Sequence, residues 1–524
     1  MSARKTATST SENGEIRPIA SAIVQAMNTS DSLSVPSTAA CEIARLSRDS
    51  RFDGVFFTAV LSTRIYCRPV CPARAPKAEN VVYYPSAAAA QAEGFRPCLR
   101  CRPELAPGNP FWQQGEHLVA RALKLINEGF LADHSLERLA ERLHVSARQV
   151  RRLFVQYLGA PPMAVHATQR LLFAKQLLTE TPMSITEVAM ASGFGSLRRF
   201  NAAFAEANHV QPRAFRRSPK ARADNALVLR LSYRPPYDFA ALLGFLRNRA
   251  LPGIEQVDEH SYQRVIGTGD APGWLRISAW PGEQHALQLE LLNVAPSQML
   301  GVVSRVRRMF DLDADPLAIA QTLSASPLLA PIMVRYPGLR LPGGWDGFEV
   351  AVRAVLGQQV SVAAARTLAS RIVQRYGVVI ESPSGTRLER LFPGPAQLAD
   401  ADLGQMGITQ ARIDTIKGIA RALVEGRVDF ALEQPLPTFI ERWVQLPGIG
   451  PWTAHYIAMR VLKHPDAFPA ADLILRREAN PHGAPLTTQA LQSLAESWRP
   501  WRAYSVMYLW RAATDSAAAR KEGA

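Results

Sequence analysis

The chain has 524 residues, a length typical of three or four domains, and its 47% of hydrophobic residues is enough for ordinary buried cores. A formal net charge of +15 favours a polyanionic partner, nucleic acid before an anionic membrane surface. No uncharged apolar stretch reaches the roughly 18 residues of a membrane span, so a membrane-embedded class is excluded.

The amino-terminal segment is rich in serine, threonine and alanine and lacks the apolar core of a secretory signal. We therefore expect a disordered tail over 1–36 and a cytoplasmic protein. Cys41, which follows the tail, has no cysteine near it in the sequence and is expected to be structural or incidental.

The other four cysteines form two close pairs, Cys67 with Cys71 and Cys98 with Cys101. Two such pairs joined by one loop supply the corners of a tetrahedral thiolate metal site. Two disulfides are the alternative, but short cysteine pairs in a chain without an export signal favour a metal. The region over 37–107 is expected to be a small α/β zinc domain.

Short strands are predicted over Val55–Leu61 and Val81–Tyr84, and a short helix over Ser86–Gly94. With STRIYCRPVCPAR, ENVVYYPS and GFRPCLRCRPE, this region resembles the methyl phosphotriester-repair domain of the Ada family. The resemblance implies Zn²⁺ held by the four cysteines, with Cys67 accepting a methyl group from a DNA phosphate. A purely structural zinc site is the alternative. The nearby arginines are candidate phosphate contacts: Arg68, Arg74, Arg96, Arg100 and Arg102.

Residues 110–217 are predicted to be all helical, with an amphipathic helix over Trp112–Asn127 and then two helix-turn-helix units. In each unit a serine, Ser146 or Ser196, caps the second helix. The exposed residues that follow such a cap face the major groove in a helix-turn-helix. The candidate DNA-binding residues are Arg148, Gln149, Arg152, Arg198, Arg199 and Asn201.

This tandem repeat, with the segments LGAPP and VQPRAF, resembles an AraC-type DNA-binding domain. The resemblance implies promoter DNA as a partner and RNA polymerase as the target of activation. Such domains often have glycine after the second reader helix, where this chain has His209. A plain helical linker is the alternative.

A linker is predicted over 218–225, an α+β lobe over 226–305, an all-α lobe over 306–515 and a tail over 516–524. In the α+β lobe, strands are expected at Leu227–Tyr233, Tyr262–Ile266, Trp274–Ala279 and Ala286–Leu292, and a helix at Tyr237–Ala250. A helix at Val303–Phe310 is expected to lead into the all-α lobe. The predicted fold class is therefore multidomain, with zinc, helical, α+β and all-α parts in that order.

A helix-hairpin-helix is predicted at LPGIGPWTA, where Gly448 and Gly450 permit a tight hairpin between helices. Its outward backbone N–H groups suit a DNA phosphate. Asp472 lies 22 residues after Gly450 and is the only acid in the apolar stretch Ala467–Leu475. A helix cap is the usual role of a lone aspartate.

The carboxy-terminal half, roughly 225–515, resembles the helix-hairpin-helix DNA glycosylases of the 3-methyladenine DNA glycosylase II type, through segments such as YPGLRLPGGWDGFEVAVRAVLGQQVSVAAA and WRPWRAYSVMYLW. The resemblance implies hydrolysis of the N-glycosidic bond of alkylated purines in double-stranded DNA. Asp472 would stabilise the cationic sugar, and Trp452, Tyr456 and Trp510 would line the pocket for the flipped base. Gln359 stands where the related enzyme has an apolar wedge residue.

Several absences refine this prediction. Bifunctional relatives have lysine two residues after the second hairpin glycine; Trp452 stands there, so we expect base removal without lyase activity. No cysteine follows Cys101, so neither an iron–sulfur cluster nor transfer of an alkyl group from O6-alkylguanine is expected.

The predicted function is an adaptive response to DNA alkylation that combines a methyl sensor, a transcriptional activator and a glycosylase. A regulator whose glycosylase-like half only binds DNA is the alternative.

Overall fold

The computed structural model describes residues 36–109, 118–216, 226–282, 284–382, 386–481 and 483–522. Almost all of the predicted tail 1–36, the start of the helix predicted at Trp112–Asn127, and the whole of the predicted linker lie outside these ranges. Among the helices described, none combines the length and the apolar character needed to cross a membrane.

The first part of the chain folds around a small sheet with strand order β3-β1-β2-β4, in which β2 and β4 are parallel and the other pairs antiparallel. Its elements are α1 (Thr38–Ser47), β1 (Phe57–Val60), β2 (Ile65–Cys67), β3 (Val81–Tyr84), α2 (Ala87–Ala92) and β4 (Arg96–Pro97). β1 is shorter than the predicted strand, and β2 and β4 were not predicted. Strands of two or three residues carry too little alternation to be recognised in a sequence.

Helix α1 was also not predicted, although Ser37 caps it by accepting the N–H of Ala40. Its buried face carries Cys41, whose S–H lies 3.3 Å from the carbonyl of Pro36 and donates to it. Burial raises the pKa of the Cys41 thiol to about 12. Cys41 therefore packs as a small apolar residue in the core of this module.

Two helix-turn-helix units follow, as predicted. The elements of this part are α3 (Leu118–Asn127), α4 (Phe130–Asp133), α5 (Leu136–Arg142), α6 (Ala147–Leu158), α7 (Pro162–Glu180), α8 (Ile185–Ala191), α9 (Leu197–Asn208) and α10 (Pro212–Phe215). Ser146 and Ser196 cap α6 and α9 through their hydroxyls. His209 ends α9 at φ +58°, so histidine adopts here the left-handed conformation that glycine often supplies.

The third part contains a five-stranded antiparallel sheet in the order β5-β9-β8-β7-β6. Its elements are β5 (Leu227–Ser232), α11 (Phe239–Arg247), β6 (Glu255–Val257), β7 (Ser261–Gly267), β8 (Pro272–Ala279) and β9 (Ala286–Leu292). All four predicted strands are present. The short edge strand β6 is an addition, paired with β7 through Glu255 and Arg264.

The last part is mainly helical and has one large buried core. Its helices are α12 (Met299–Met309), α13 (Pro316–Leu323), α14 (Ala330–Arg335), α15 (Gly347–Leu356), α16 (Val362–Tyr376), α17 (Pro395–Ala399), α18 (Gln410–Val424), α19 (Leu436–Trp443), α20 (Pro451–Ile457), α21 (Leu473–Glu478), α22 (Thr488–Ala495) and α23 (Arg502–Glu522). A two-residue ladder joins β10 (Val378–Val379) to β11 (Arg390–Leu391).

Helix α7 contacts both of its neighbouring modules. On one side Lys175 Nζ lies 2.8 Å from Glu104 Oε2 and 3.3 Å from the carbonyl oxygen of Cys98. On the other side Glu180 accepts the backbone N–H of Arg230 in β5 at 3.1 Å. The second helix-turn-helix unit also shares one buried apolar cluster with the five-stranded sheet. The zinc-type, helical and sheet parts are thus packed together through α7.

Removing one partner of the buried pair Lys175–Glu104 should destabilise this junction. The two side chains are 2% and 0% exposed, and Arg102, which also pairs with Glu104, would compensate only part of the lost charge, so the cost lies below the about 3–5 kcal/mol of an unpaired buried charge. We expect Lys175→Met to lower the midpoint of urea unfolding clearly. Lys77→Met is the matched control, because Lys77 and Glu79 form a pair that is 81% and 71% exposed. Equal midpoints for the two variants would contradict the structural role of the buried pair.

Candidate functional sites

The four cysteine sulfurs of the zinc-type module lie within 4.8 Å of one another. The fold explains this convergence: Cys67 ends β2, and Cys98 directly follows the parallel strand β4. The N–H of Cys98 donates to the carbonyl of Tyr66 at 2.9 Å, which continues the pairing as far as the ligands. All four are free thiols, so the alternative of two disulfides is not found.

This donor set fits zinc. Four sulfurs around Zn²⁺ at about 2.3 Å stand roughly 3.8 Å apart, a spacing compatible with this cluster. Cys98 and Cys101 are buried, whereas Cys67 and Cys71 are half-buried. The residues of the first pair are therefore less enclosed than those of the second.

Two of the five nearby arginines are used inside the protein. Arg68 pairs with Asp53, and its backbone N–H donates to Cys101 Sγ at 3.3 Å. Arg102 pairs with Glu104 and Glu180 at 3.0 Å each. Arg74 and Arg100 are exposed. The guanidinium groups of Arg68 and Arg102 thus face internal carboxylates, and the phosphate contacts expected of the five arginines stay a prediction.

The predicted DNA-binding positions lie at the starts of α6 and α9. Five of these side chains are exposed, and Asn201 is half-buried. Within the described ranges, none of the four arginines among them is paired with a carboxylate. Exposed, unneutralised guanidinium groups at the start of a second helix are suited to phosphates and guanine edges. The residues are Arg148, Gln149, Arg152, Arg198, Arg199 and Asn201.

The hairpin between α19 and α20 depends strictly on one of its two glycines. Gly448 has φ +84°, and a Cβ built there would stand 1.9 Å from Thr415 Oγ1 on α18. Gly450 precedes α20 as its N-cap and has open space around it. Open space at a helix N-terminus allows a phosphate to approach the backbone.

Asp472 is the N-cap of α21, so the ordinary role of a lone aspartate holds here. Its Oδ1 accepts the N–H groups of Ile474 and Leu475 at 3.0 and 3.1 Å. The same carboxylate also accepts the indole N–H of Trp452, at 3.0 Å to Oδ2, and lies 3.5 Å from that of Trp510. A cap alone needs neither indole, so this carboxylate is also part of an aromatic site.

The three predicted pocket residues come together beside this carboxylate. The rings of Trp452 and Tyr456 stack at 5.3 Å with an interplanar angle of 13°, and Trp510 lies 6.3 Å from Tyr456. All three residues are half-buried. Burial raises the pKa of Tyr456, but Arg460, Arg249 and Arg353 lower it by more, so that the net shift is downward.

Gln359 lies in the turn after α15 at φ +55° and is exposed. Its neighbour Gln358 was not singled out from the sequence. The side chain of Gln358 donates to the hairpin carbonyl of Gly448 at 3.1 Å and to Thr453 Oγ1 at 3.0 Å. The only sequence signal for it is its place in the motif LGQQVS, which does not reveal partners some ninety residues away.

Comparison with known families assigns each part of the chain. Residues 40–104 match the metal binding domain of Ada, and 139–218 a helix-turn-helix domain. Residues 228–346 match the AlkA N-terminal domain, and 352–503 the HhH-GPD superfamily of base excision DNA repair proteins. With these matches, the four-cysteine cluster is a zinc site and double-stranded DNA is the partner.

Individual relatives agree with this arrangement. The probable bifunctional transcriptional activator/DNA repair enzyme AlkA of Mycobacterium tuberculosis is 40% identical over 90% of this chain and 95% of its own length. DNA-3-methyladenine glycosylase 2 of Escherichia coli is 32% identical over 53% of this chain and 95% of its own length. AdaA of Bacillus subtilis is 31% identical over 34% of this chain and 82% of its own length.

The first relative matches across every module, in the same order. The chain therefore belongs to the family of bifunctional transcriptional activators and DNA repair enzymes in which Ada-type and AlkA-type parts share one polypeptide.

Proposed function

We propose that the carboxy-terminal half is a DNA-3-methyladenine glycosylase, which hydrolyses the N-glycosidic bond of alkylated purines in double-stranded DNA. The observation that carries this proposal is the carboxylate of Asp472 held beside the stacked rings of Trp452 and Tyr456. The name of the Escherichia coli relative supports the substrate class.

In the reaction, the bond between the base nitrogen and C1′ breaks and its electron pair leaves with the base. Positive charge then develops on the sugar, where the Asp472 carboxylate would stabilise it by electrostatic attraction. A water molecule supplies hydroxide to C1′ and its proton passes to solvent, because a cationic base becomes neutral when it leaves with the electron pair. The indole N–H of Trp452 fixes one carboxylate oxygen, which leaves less reorganisation for the transition state.

The aromatic residues would select the substrate. An alkylated purine with a positive charge is attracted to the face of an electron-rich ring and is also a better leaving group. The base must first leave the duplex to reach such a pocket. Trp452, Tyr456 and Trp510 would then line the pocket around it.

We expect base removal without strand cleavage. A lyase needs an amine that forms a Schiff base with C1′, and the indole of Trp452 provides no nucleophilic amine. Lys463, six residues after the end of α20, donates instead to the carbonyl of Leu341 and pairs with Asp311 at 3.1 Å. On a lesion-containing duplex, the wild type should leave abasic sites that break only after alkali. Nicked product before alkali, or protein–DNA adducts trapped with borohydride, would contradict this expectation.

We further propose that Cys67 accepts a methyl group from a methylated DNA phosphate, once per protein molecule. Bound zinc would keep the Cys67 sulfur as a thiolate, which is the nucleophilic form. The new S–C bond forms as the C–O bond of the ester breaks, and the phosphate oxygen retains the electron pair. Cys67 and Cys71 are the half-buried ligands, and the Ada-type motif favours Cys67.

Methyl transfer would leave one thiolate fewer at the site, so repulsion between the site and DNA falls. The predicted DNA-binding residues, such as Arg148 and Arg198, would then bind promoter DNA more tightly, and the bound protein would recruit RNA polymerase.

DNA as the partner implies that the protein acts in the bacterial cytoplasm. A regulator whose second half only binds DNA would not need an acid beside the aromatic rings, which argues against that alternative.

The test of the glycosylase proposal is chromatography of the free bases released from methylated duplex DNA. Release of 3-methyladenine by the wild type supports the proposal. Release of no base, with DNA binding intact, would leave the regulator with an inactive half as the better account.

A further inference from the structure

The turn at 357–360, between α15 and α16, carries the predicted wedge residue Gln359. Gln359 is exposed, and its backbone lies in the left-handed region at φ +55°. This conformation is unfavourable for a residue that is not glycine, so the surrounding contacts must hold the turn.

Gln358 supplies those contacts. Its side-chain amide is half-buried, and Nε2 lies 3.1 Å from the carbonyl oxygen of Gly448 and 3.0 Å from Thr453 Oγ1. The backbone carbonyl of Gln358 accepts a hydrogen bond from the guanidinium of Arg412 on α18. One residue thus joins the turn to the hairpin, to α20 and to α18.

Both acceptors are themselves fixed in position. Gly448 packs against Thr415 so closely that a Cβ there would stand 1.9 Å from Oγ1. Thr453 is 2% exposed and directly follows Trp452, whose indole donates to Asp472. The turn, the hairpin and the Asp472 carboxylate are therefore connected through adjacent residues.

We propose that Gln358 is a positioning residue that fixes the turn carrying Gln359 to the hairpin. Binding of the DNA backbone by the hairpin and insertion of Gln359 into the duplex then occur together. Flipping a base costs unstacking energy, and a turn that is already ordered avoids a further entropic cost when it enters the duplex. Gln358 acts through Gln359 and does not contact the base. This inference rests on the proposed glycosylase function.

The informative variant is Gln358→Met, which keeps the length of the side chain and removes both amide hydrogen bonds without adding charge. Thr453→Val removes one acceptor while keeping the side-chain shape, and should give a smaller defect of the same kind. Gln298→Met is the matched control, because Gln298 is an exposed glutamine just before α12. Equal thermal midpoints would establish that the variants fold alike.

The substrates are two duplexes with the same alkylated purine, one with a normal opposite base and one with an abasic analogue opposite. In single-turnover base release, we expect Gln358→Met to be slower by roughly 10-fold or more on the first duplex. On the second, where the base has no pairing partner and costs less to flip, the rate should stay within about 3-fold of wild type. Equal losses on both duplexes, or no loss on either, would overturn the inference.

A second readout does not depend on base release. 2-Aminopurine next to an abasic site should brighten when saturating wild type or Gln298→Met unstacks the duplex. We expect Gln358→Met to give less than about half of that increase at saturation. A full increase would overturn the inference. Absence of base release by the wild type, with this fluorescence difference intact, would instead count against the proposed glycosylase function alone.

Discussion

Replacing Asp472 by asparagine is expected to lower the rate of base release by at least about 100-fold. Asparagine keeps an oxygen that can still accept the N–H groups of Ile474 and Leu475, so the cap of α21 is preserved. It loses the negative charge that would stabilise the cationic sugar. The affinity for lesion-containing DNA should therefore change little while excision is lost, with a modest loss of stability because the amide nitrogen that replaces Oδ2 cannot accept the indole N–H of Trp452.

The matched control is Asp346→Asn. Asp346 caps α15 by accepting the N–H of Glu349 at 2.9 Å and lies outside the aromatic site. This variant should release bases at close to the wild-type rate. Release by Asp472→Asn at the wild-type rate would remove Asp472 from the mechanism, whereas loss in both variants would indicate a general effect of replacing a capping carboxylate by an amide.

Changing Cys67 to serine is expected to abolish methyl uptake from DNA that contains methyl phosphotriesters. Intact-mass measurement should find one added methyl group on the wild type and none on Cys67→Ser. Cys41→Ser should still gain the methyl group, because Cys41 is buried in a different cluster beside α1. Peptide mapping should place the modification on Cys67 rather than on Cys71, the other half-buried ligand.

The same modified sample tests the electrostatic switch. The formal charge of the zinc site changes from about −2 to about −1 on methylation, so repulsion from DNA falls. The methylated protein should bind promoter DNA more tightly at low salt, and the difference should shrink as salt screens the charges. Unchanged mass after exposure to methylated DNA would indicate a structural zinc site. Equal affinities at low salt would contradict the switch.

Features carried by short segments were predictable from the sequence. The two cysteine pairs, the serine caps at Ser146 and Ser196, and four strands of the five-stranded sheet are all present. Each depends on residues close together in the chain, where spacing and capping preferences act directly. The aromatic stack of Trp452 and Tyr456 is also local, since the two residues lie four positions apart on one helical turn.

Features that depend on distant partners were not predictable. Nothing near Lys175 indicates that it will be buried against Glu104, because that contact arises only when α7 packs on the zinc module. Arg68 was predicted to meet phosphates, but the fold places Asp53 beside it. The second role of Asp472, as acceptor for Trp452, likewise appears only once α20 and α21 are packed together.

The most direct test of the central claim, that two separate chemistries share this chain, uses one sample of methylated duplex DNA. The wild type, Asp472→Asn and Cys67→Ser are each incubated with it, and free bases and protein mass are measured in the same tube. We predict that the wild type releases 3-methyladenine and gains a methyl group, that Asp472→Asn gains the methyl group but releases no base, and that Cys67→Ser does the reverse. Loss of both activities in either well-folded variant, or of neither, would contradict the claim.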